Sequence, residues 1–153
     1  MLFFALLAVL TAATALVHRK SDWPQRMRLA MAIALIAVGN DHWANPGRYL
    51  AMMPPWVPLH YEMVLFTGAA EIVGALGLLV RKTRALAGLA LAAYFVAVFP
   101  ANIHNALNSL AVDGLPQVAW CYWARLPFQP FAIWWALFSA QLIHWPLRVR
   151  AAS

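Results

Sequence analysis

Four polar side chains occupy positions where an apolar sequence would not need them. Glu71 lies halfway along the apolar stretch LFTGAAEIVGALGLLV, and His42, Asn102 and Arg125 lie at the ends of other apolar stretches. A carboxyl group near an imidazole can relay a proton, an amide can donate a hydrogen bond, and a guanidinium group can stabilise developing negative charge. Together these residues could bind and protonate a small carbonyl compound.

A quinone is one compound that such a site could hold. It needs an apolar slot, hydrogen-bond donors at its oxygens and a nearby group that exchanges protons. We expect Glu71, His42 and Arg125 to be catalytic. The expected ligand-binding residues are polar or aromatic and lie close in sequence to His42, Asn102 or Arg125. They are Asn40, Asp41, Tyr49, Trp56, Asn102, His104 and Gln129.

Metal binding is an alternative for part of this set. Imidazole and thioether ligands suit copper, and imidazole with a carboxylate suits non-haem iron or zinc. No tight ligand motif such as H-E-x-x-H is present, so this alternative depends on residues distant in sequence. The residues that could contribute are His42, His60, His104, Glu71, Met52 and Met53.

The composition determines what kind of fold must position these residues. The chain has 153 residues, 64% of them hydrophobic and 10% charged, with a net charge of +6 and a mean hydropathy of +0.68. A soluble domain of this size could not bury so much apolar surface, so we expect an integral membrane protein with one domain over residues 1–153. The basic residues form short clusters rather than one charged face, which argues against nucleic acid as a partner. The single cysteine, Cys121, excludes an internal disulfide and a C-x-x-C relay.

Five apolar segments predict an all-α fold with five membrane-spanning helices, because only helices and closed barrels satisfy their backbone groups in lipid. Basic residues follow the first, third and fifth segments, which places the amino terminus outside and the carboxyl terminus in the cytoplasm. The basic residues after the first segment also favour a retained helix over a cleaved signal peptide. The predicted spans are 2–17, 27–43, 61–80, 85–105 and 127–146.

This topology gathers the non-basic polar residues at the outer ends of spans two to five. Pro100 should interrupt the fourth helix about one turn before the outer surface and free a carbonyl near residue 96. The prolines within residues 39–62 should prevent a regular helix there. Gly68 and Gly74 share a helix face with Glu71, where a neighbour or ligand can approach closely. We therefore expect a polar pocket that opens outward, with Glu71 at its floor.

Five motifs together resemble the DoxX-like family of small bacterial membrane proteins over residues 39–130. They are GNDHW, PGRYLAMMPPWVP, GAAEIVGALGLLVRKTR, VAVFPAN and ARLPFQP. The resemblance implies a four-helix bundle over about residues 27–146 in the bacterial inner membrane, to which the first helix is an addition. It also implies quinone-linked redox chemistry or partnership with redox enzymes. The positions that match the family pattern are His42, Tyr49, Pro55, Glu71, Asn102, Arg125 and Gln129.

A non-catalytic role is the main alternative to quinone binding. The protein could be an accessory or assembly subunit whose aromatic outer lid, including Trp120 and Trp123, docks a periplasmic redox partner. The lack of paired cysteines departs from the dithiol-relay relatives of the DoxX-like family and argues against disulfide transfer. The sequence leaves open whether the protein forms a homo-oligomer in the bilayer.

Overall fold

The structure, a computed structural model, describes residues 2–17, 22–108, 110 and 119–145. Every regular element in this part of the chain is an α-helix, which confirms the all-α prediction. The basic residues Arg19, Lys20, Arg148 and Arg150 lie outside the described residues. The helices are α1 (Leu2–Val17), α2 (Trp23–Ala44), α3 (Pro46–Leu50), α4 (His60–Leu79), α5 (Arg84–Asn108), α6 (Ala119–Ala124) and α7 (Phe128–Ser139).

Helix α2 is the centre of the bundle. It packs most extensively against α4 and also contacts α1 and α7, while α5 packs against α4 and α7. The core contains Met31 and Leu35 from α2, Leu78 from α4, Leu91 from α5 and Phe138 from α7. Removal of these side chains from solvent is the main favourable contribution to the packing of an all-helical fold.

Two glycines bring α2 and α4 into backbone contact. A Cβ added to Gly39 would lie 2.7 Å from the Gly68 carbonyl oxygen, and a Cβ added to Gly68 would lie 2.7 Å from the His42 Cβ. Small residues at a crossing allow two helices to approach this closely. The contact fixes His42 of α2 beside the helix that carries Glu71.

Helix α5 does not end at Pro100, because the helix continues from Arg84 to Asn108 through the proline. Proline removes one backbone donor from the helical hydrogen-bond ladder. A side chain from a neighbouring helix supplies a donor in this region: Gln129 Nε2 lies 2.6 Å from the Phe95 carbonyl oxygen. The predicted interruption of the helix is therefore wrong, although a carbonyl close to the expected position does take a side-chain donor.

The connection between α2 and α4 is also more regular than the sequence predicts. Pro46 begins the short helix α3, since its fixed φ angle suits the first turn of a helix and its missing N–H is not needed there. Turns and bends then lead to Leu59, whose φ of 52° is left-handed and precedes the first turn of α4.

Two of the described helices, α4 and α5, are long and apolar enough to cross a membrane. The prediction of five spans is not supported by length and composition. Helix α1 has 16 residues and α7 has 12, whereas a span needs about 20. Helix α2 is long enough, but Arg26 and Arg28 lie near its start and Asp41 near its end.

Candidate functional site

Glu71 is the central residue of a buried polar cluster between α2, α4 and α5. Its exposed fraction is 6%, as expected for a carboxyl group that faces the bundle interior. The Tyr94 hydroxyl of α5 donates a hydrogen bond of 2.8 Å to Glu71 Oε1. Oε2 is buried and has no hydrogen-bond partner among the described residues. One oxygen of the carboxyl group is thus held in place, and the described residues leave the hydrogen-bonding capacity of the other unused.

His42 faces this second oxygen. Its Nε2 lies 3.8 Å from Glu71 Oε2, beyond the length of a hydrogen bond. Its Nδ1 lies 3.0 Å from the Val64 carbonyl oxygen, and a carbonyl oxygen can only accept. We therefore assign the proton of the neutral ring to Nδ1, which leaves Nε2 as a proton acceptor directed toward Glu71. A water molecule or a hydroxyl group of a ligand, which can donate a hydrogen bond to Nε2, could bridge Nε2 and Oε2.

Tyr49 connects this cluster to a second polar group at the same end of the helices. Its ring stacks on His42 with a centroid distance of 3.6 Å, and its hydroxyl donates a hydrogen bond of 2.8 Å to Asp41 Oδ2. Asp41 also accepts hydrogen bonds of 2.7 Å from Arg48 and Asn45. Burial, and then the hydrogen bond to Asp41, raise the pKa of Tyr49 above its ordinary value. Tyr49 therefore stays a neutral donor over the physiological pH range.

Asn102 and Gln129 form a separate pair between α5 and α7. The Asn102 amide donates to Gln129 Oε1 at 3.2 Å, and Gln129 in turn donates to the Phe95 carbonyl oxygen. Gln129 is buried. Both residues were predicted to contact a ligand, but in this structure their amide groups join two helices.

The other predicted site residues make contacts of their own. Asn40 donates to the Ile36 carbonyl oxygen of its own helix. His60 Nε2 lies 3.0 Å from the Pro54 carbonyl oxygen, and His104 Nδ1 lies 3.1 Å from Asn108 Nδ2. The half-buried Arg125 and the exposed Trp56 lie in turns. The structure therefore brings His42, Tyr49, Asp41 and Glu71 together through contacts. The contacts or turns described in this paragraph belong to the remaining predicted residues, which are Asn40, Trp56, His60, His104 and Arg125.

The metal alternative is not supported by the geometry. The described part of the chain contains no group of three or more His, Cys, Asp and Glu side chains that could hold a metal ion. His42, His60 and His104 each lie within hydrogen-bond distance of a different group.

Tyr94 and Thr67 belong to the site and were not predicted from the sequence. Thr67 Oγ1 lies 3.1 Å from His42 Nδ1 and donates to the Val64 carbonyl oxygen. Tyr94 lies in the apolar stretch ALAAYFVAVF, where a tyrosine resembles any other core aromatic residue. The feature of the sequence that could have identified Tyr94 is its hydroxyl group, because a buried phenol in an apolar helix needs a hydrogen-bond partner. Glu71 is that partner.

A family model described as "Domain of unknown function (DUF8561)" matches residues 31–140 of the chain. This range begins within α2 and ends just after α7. It includes all the residues of the polar site described above, which we call the Glu71 cluster: Asp41, His42, Tyr49, Thr67, Glu71 and Tyr94. The comparisons with curated proteins and with solved structures find no match.

Proposed function

For a chain that belongs to the DUF8561 family, which has no described function, we propose an integral membrane protein that binds a quinone or a similar small apolar carbonyl compound. The binding site is the Glu71 cluster. The observation that carries this proposal is the buried Glu71 Oε2, which lacks a hydrogen-bond partner among the described residues and lies 3.8 Å from His42 Nε2. A buried polar atom without a partner costs free energy that a ligand can recover.

The exposure of α4 and α5 supports a membrane location. In each helix only 28% of the most apolar 18-residue stretch is buried inside the protein. The core helix of a soluble protein is mostly buried. Large apolar side chains such as Phe66, Val73, Leu86 and Val96 point away from the bundle. A lipid bilayer would cover these side chains, since extensive exposed apolar surface marks contact with a membrane or with another protein.

We further propose a multi-pass protein of the bacterial inner membrane, related to the DoxX-like proteins. In this arrangement α1, α2 and α7 pack within the bilayer beside α4 and α5, which are the two helices long enough to cross it. The basic residues of the turn between α4 and α5 and of the start of α2 lie at one end of the bundle, and the Asp41 group lies at the other. The positive-inside rule places the basic end in the cytoplasm, so the ligand reaches Glu71 from the outer side.

The chemistry follows from the two groups at the site. His42 Nε2 and Glu71 Oε2 can hold or exchange a proton at a ligand oxygen, and the Tyr94 hydroxyl fixes the carboxyl group. Reduction of a quinone to a quinol consumes two electrons and two protons. In this proposal a separate electron-transfer protein supplies the two electrons. The Glu71 carboxyl group donates its proton to one quinone oxygen, His42 Nε2 takes up a second proton from solvent and passes it to the ligand, and Glu71 is then reprotonated from solvent.

A binding experiment on the purified full-length protein tests this proposal. A short-chain benzoquinone is titrated into the protein in detergent and followed by tryptophan fluorescence, and a solvent extract is searched for co-purified quinone by mass spectrometry. Glu71→Leu should weaken binding by about tenfold, because it removes the carboxylic O–H that donates a hydrogen bond to the quinone oxygen. Glu62→Leu is the matched control, since Glu62 is an exposed carboxylate on the same helix.

Two results would contradict the proposal. The first is a wild-type protein that neither binds the benzoquinone nor contains a co-purified quinone. The second is a Glu71→Leu variant that binds as tightly as Glu62→Leu does. Thermal unfolding of both variants shows whether either one has lost its fold.

A second candidate is an accessory subunit that docks a periplasmic redox partner. Trp56 and Trp123 are 67% and 52% exposed and lie near the outer ends of the helices, while the Trp120 side chain lies outside the described residues. Aromatic side chains are enriched at the centres of protein interfaces. Under this alternative, Trp123→Ala would disrupt co-purification of the partner more than Glu71→Gln would, and the isolated protein would bind no quinone.

A further inference from the structure

A cavity lined by arginines lies at the end of the bundle opposite to Asp41. Its volume is about 270 Å³, and Arg26, Arg28 and Arg84 line it together with Gln25 and Thr14. Arg28 precedes Asp41 by 13 positions in α2, which corresponds to about 20 Å along a helix. The cavity is therefore distinct from the Glu71 cluster.

The volume of the cavity is sufficient for a polyatomic ligand. One water molecule needs about 10 to 15 Å³ of such volume, so the cavity could hold a group much larger than water. The described residues that line it supply three guanidinium groups and no carboxylate. This lining favours a ligand that carries negative charge.

The arginine side chains are held in place rather than extended into solvent. Arg28 is only 7% exposed, and its Nε donates a hydrogen bond of 2.9 Å to the Ser139 carbonyl oxygen of α7. Arg84 Nε donates to the Leu78 carbonyl oxygen at 3.3 Å. Both guanidinium groups are thus anchored through Nε. Arg26 lies over the Trp23 ring at 5.6 Å.

Like charges held close together in a partly buried site repel one another unless an anion lies between them. Arginine is well suited to recognise phosphate, because its planar guanidinium group donates two parallel hydrogen bonds. We propose that this cavity binds a phosphate group. The source is either the headgroup of an anionic phospholipid or a free phosphate ion.

The position of the cavity is compatible with both sources. It lies where α1 and α4 end and where α2 and α5 begin. If the proposed membrane location is correct, this level coincides with the headgroups of the cytoplasmic leaflet, where anionic lipids attract basic residues. The free-phosphate source does not depend on the membrane location, and neither source depends on quinone binding.

The test uses the purified full-length protein in a neutral detergent and two probes. Inorganic phosphate is titrated at constant ionic strength while the unfolding temperature is recorded. Separately, the protein is exchanged into nanodiscs that contain phosphatidylglycerol and phosphatidylcholine, and native mass spectrometry counts the lipids that stay bound. A rise in unfolding temperature with phosphate identifies the free ion, and selective retention of phosphatidylglycerol identifies the headgroup. Either result supports the proposal, and the absence of both overturns it.

Variants of two neighbouring arginines decide whether binding occurs in the cavity. Arg84→Gln should weaken binding by about tenfold for whichever probe, phosphate or phosphatidylglycerol, binds the wild-type protein. This is the effect expected for loss of a charged hydrogen bond. Arg81→Gln removes the same charge from an exposed position in the adjacent turn and should leave binding unchanged. Equal effects of the two variants would show diffuse attraction to surface charge and would overturn the proposal. Arg84 is used rather than Arg28, because the buried Arg28 also anchors α7.

Discussion

The Tyr94 hydroxyl donates a hydrogen bond of 2.8 Å to Glu71 Oε1 and thereby joins the middle of α5 to the middle of α4. This bond orients the carboxyl group so that Oε2 faces His42 Nε2 across 3.8 Å. The two helices therefore do more than exclude solvent from Glu71. They direct its second oxygen toward a proton acceptor on a third helix.

Tyr94→Phe should destabilise the protein by about 1 to 3 kcal/mol, because it leaves Glu71 Oε1 buried without its donor. Tyr61→Phe is the control, since Tyr61 is an exposed tyrosine on α4. The free energy of unfolding is measured by denaturant titration in mixed micelles. In the double variant with Glu71→Leu, the effect of Tyr94→Phe should become smaller, because the Tyr94 hydroxyl then has no acceptor to lose. Additive effects would show that the two side chains do not interact energetically.

Gly68→Ala should destabilise the crossing of α2 and α4. The added Cβ would lie 2.7 Å from the His42 Cβ and 2.8 Å from the Gly39 carbonyl oxygen, and overpacking of this kind costs about 1 to 3 kcal/mol. The shift should also move His42 away from Glu71 and weaken ligand binding. Gly47→Ala is the control, because a Cβ there meets nothing within 4 Å. Equal unfolding temperatures for both variants would contradict the close backbone contact.

The burial of Glu71 could be predicted from the sequence, because an ionisable residue in an apolar helix must avoid lipid. The approach of His42 to Glu71 was expected as part of a larger pocket, but the selection among the polar residues was not predictable. Residues such as His60 and His104 have the same chemistry as His42, and only the packing of the helices determines which histidine faces the carboxyl group. The Tyr94 hydroxyl was missed because its hydrogen bond depends on the rotation of α5 about its axis, which an apolar sequence specifies weakly.

Val73→Lys tests the membrane location of α4. Val73 is 69% exposed near the middle of the helix. On a soluble protein this change would alter stability by less than about 0.5 kcal/mol, but at the centre of a membrane helix a lysine costs about 2.5 to 3.5 kcal/mol. We therefore expect a marked loss of the protein from the membrane fraction, measured by immunoblot after fractionation.

The matched control for this change is Val80→Lys. Val80 is 52% exposed and directly follows the last residue of α4, beside Arg81 and Lys82. A lysine there can extend its ammonium group to the lipid headgroups. The amount of the Val80→Lys protein in the membrane fraction should therefore stay at the wild-type level. If Val73→Lys accumulates like Val80→Lys, this face of α4 does not contact lipid.

Tyr49→Phe should alter the dependence of stability on alkaline pH. The raised pKa of Tyr49 in the folded protein results from burial and from the hydrogen bond to Asp41. A group whose pKa is raised by folding contributes stability that is fully present below its unfolded pKa, which is about 10 for tyrosine. That contribution is lost as the pH rises from there toward the folded pKa. The wild-type unfolding temperature should consequently fall more steeply above about pH 10 than that of Tyr49→Phe. Parallel curves for the two proteins would contradict the burial of the Tyr49 hydroxyl.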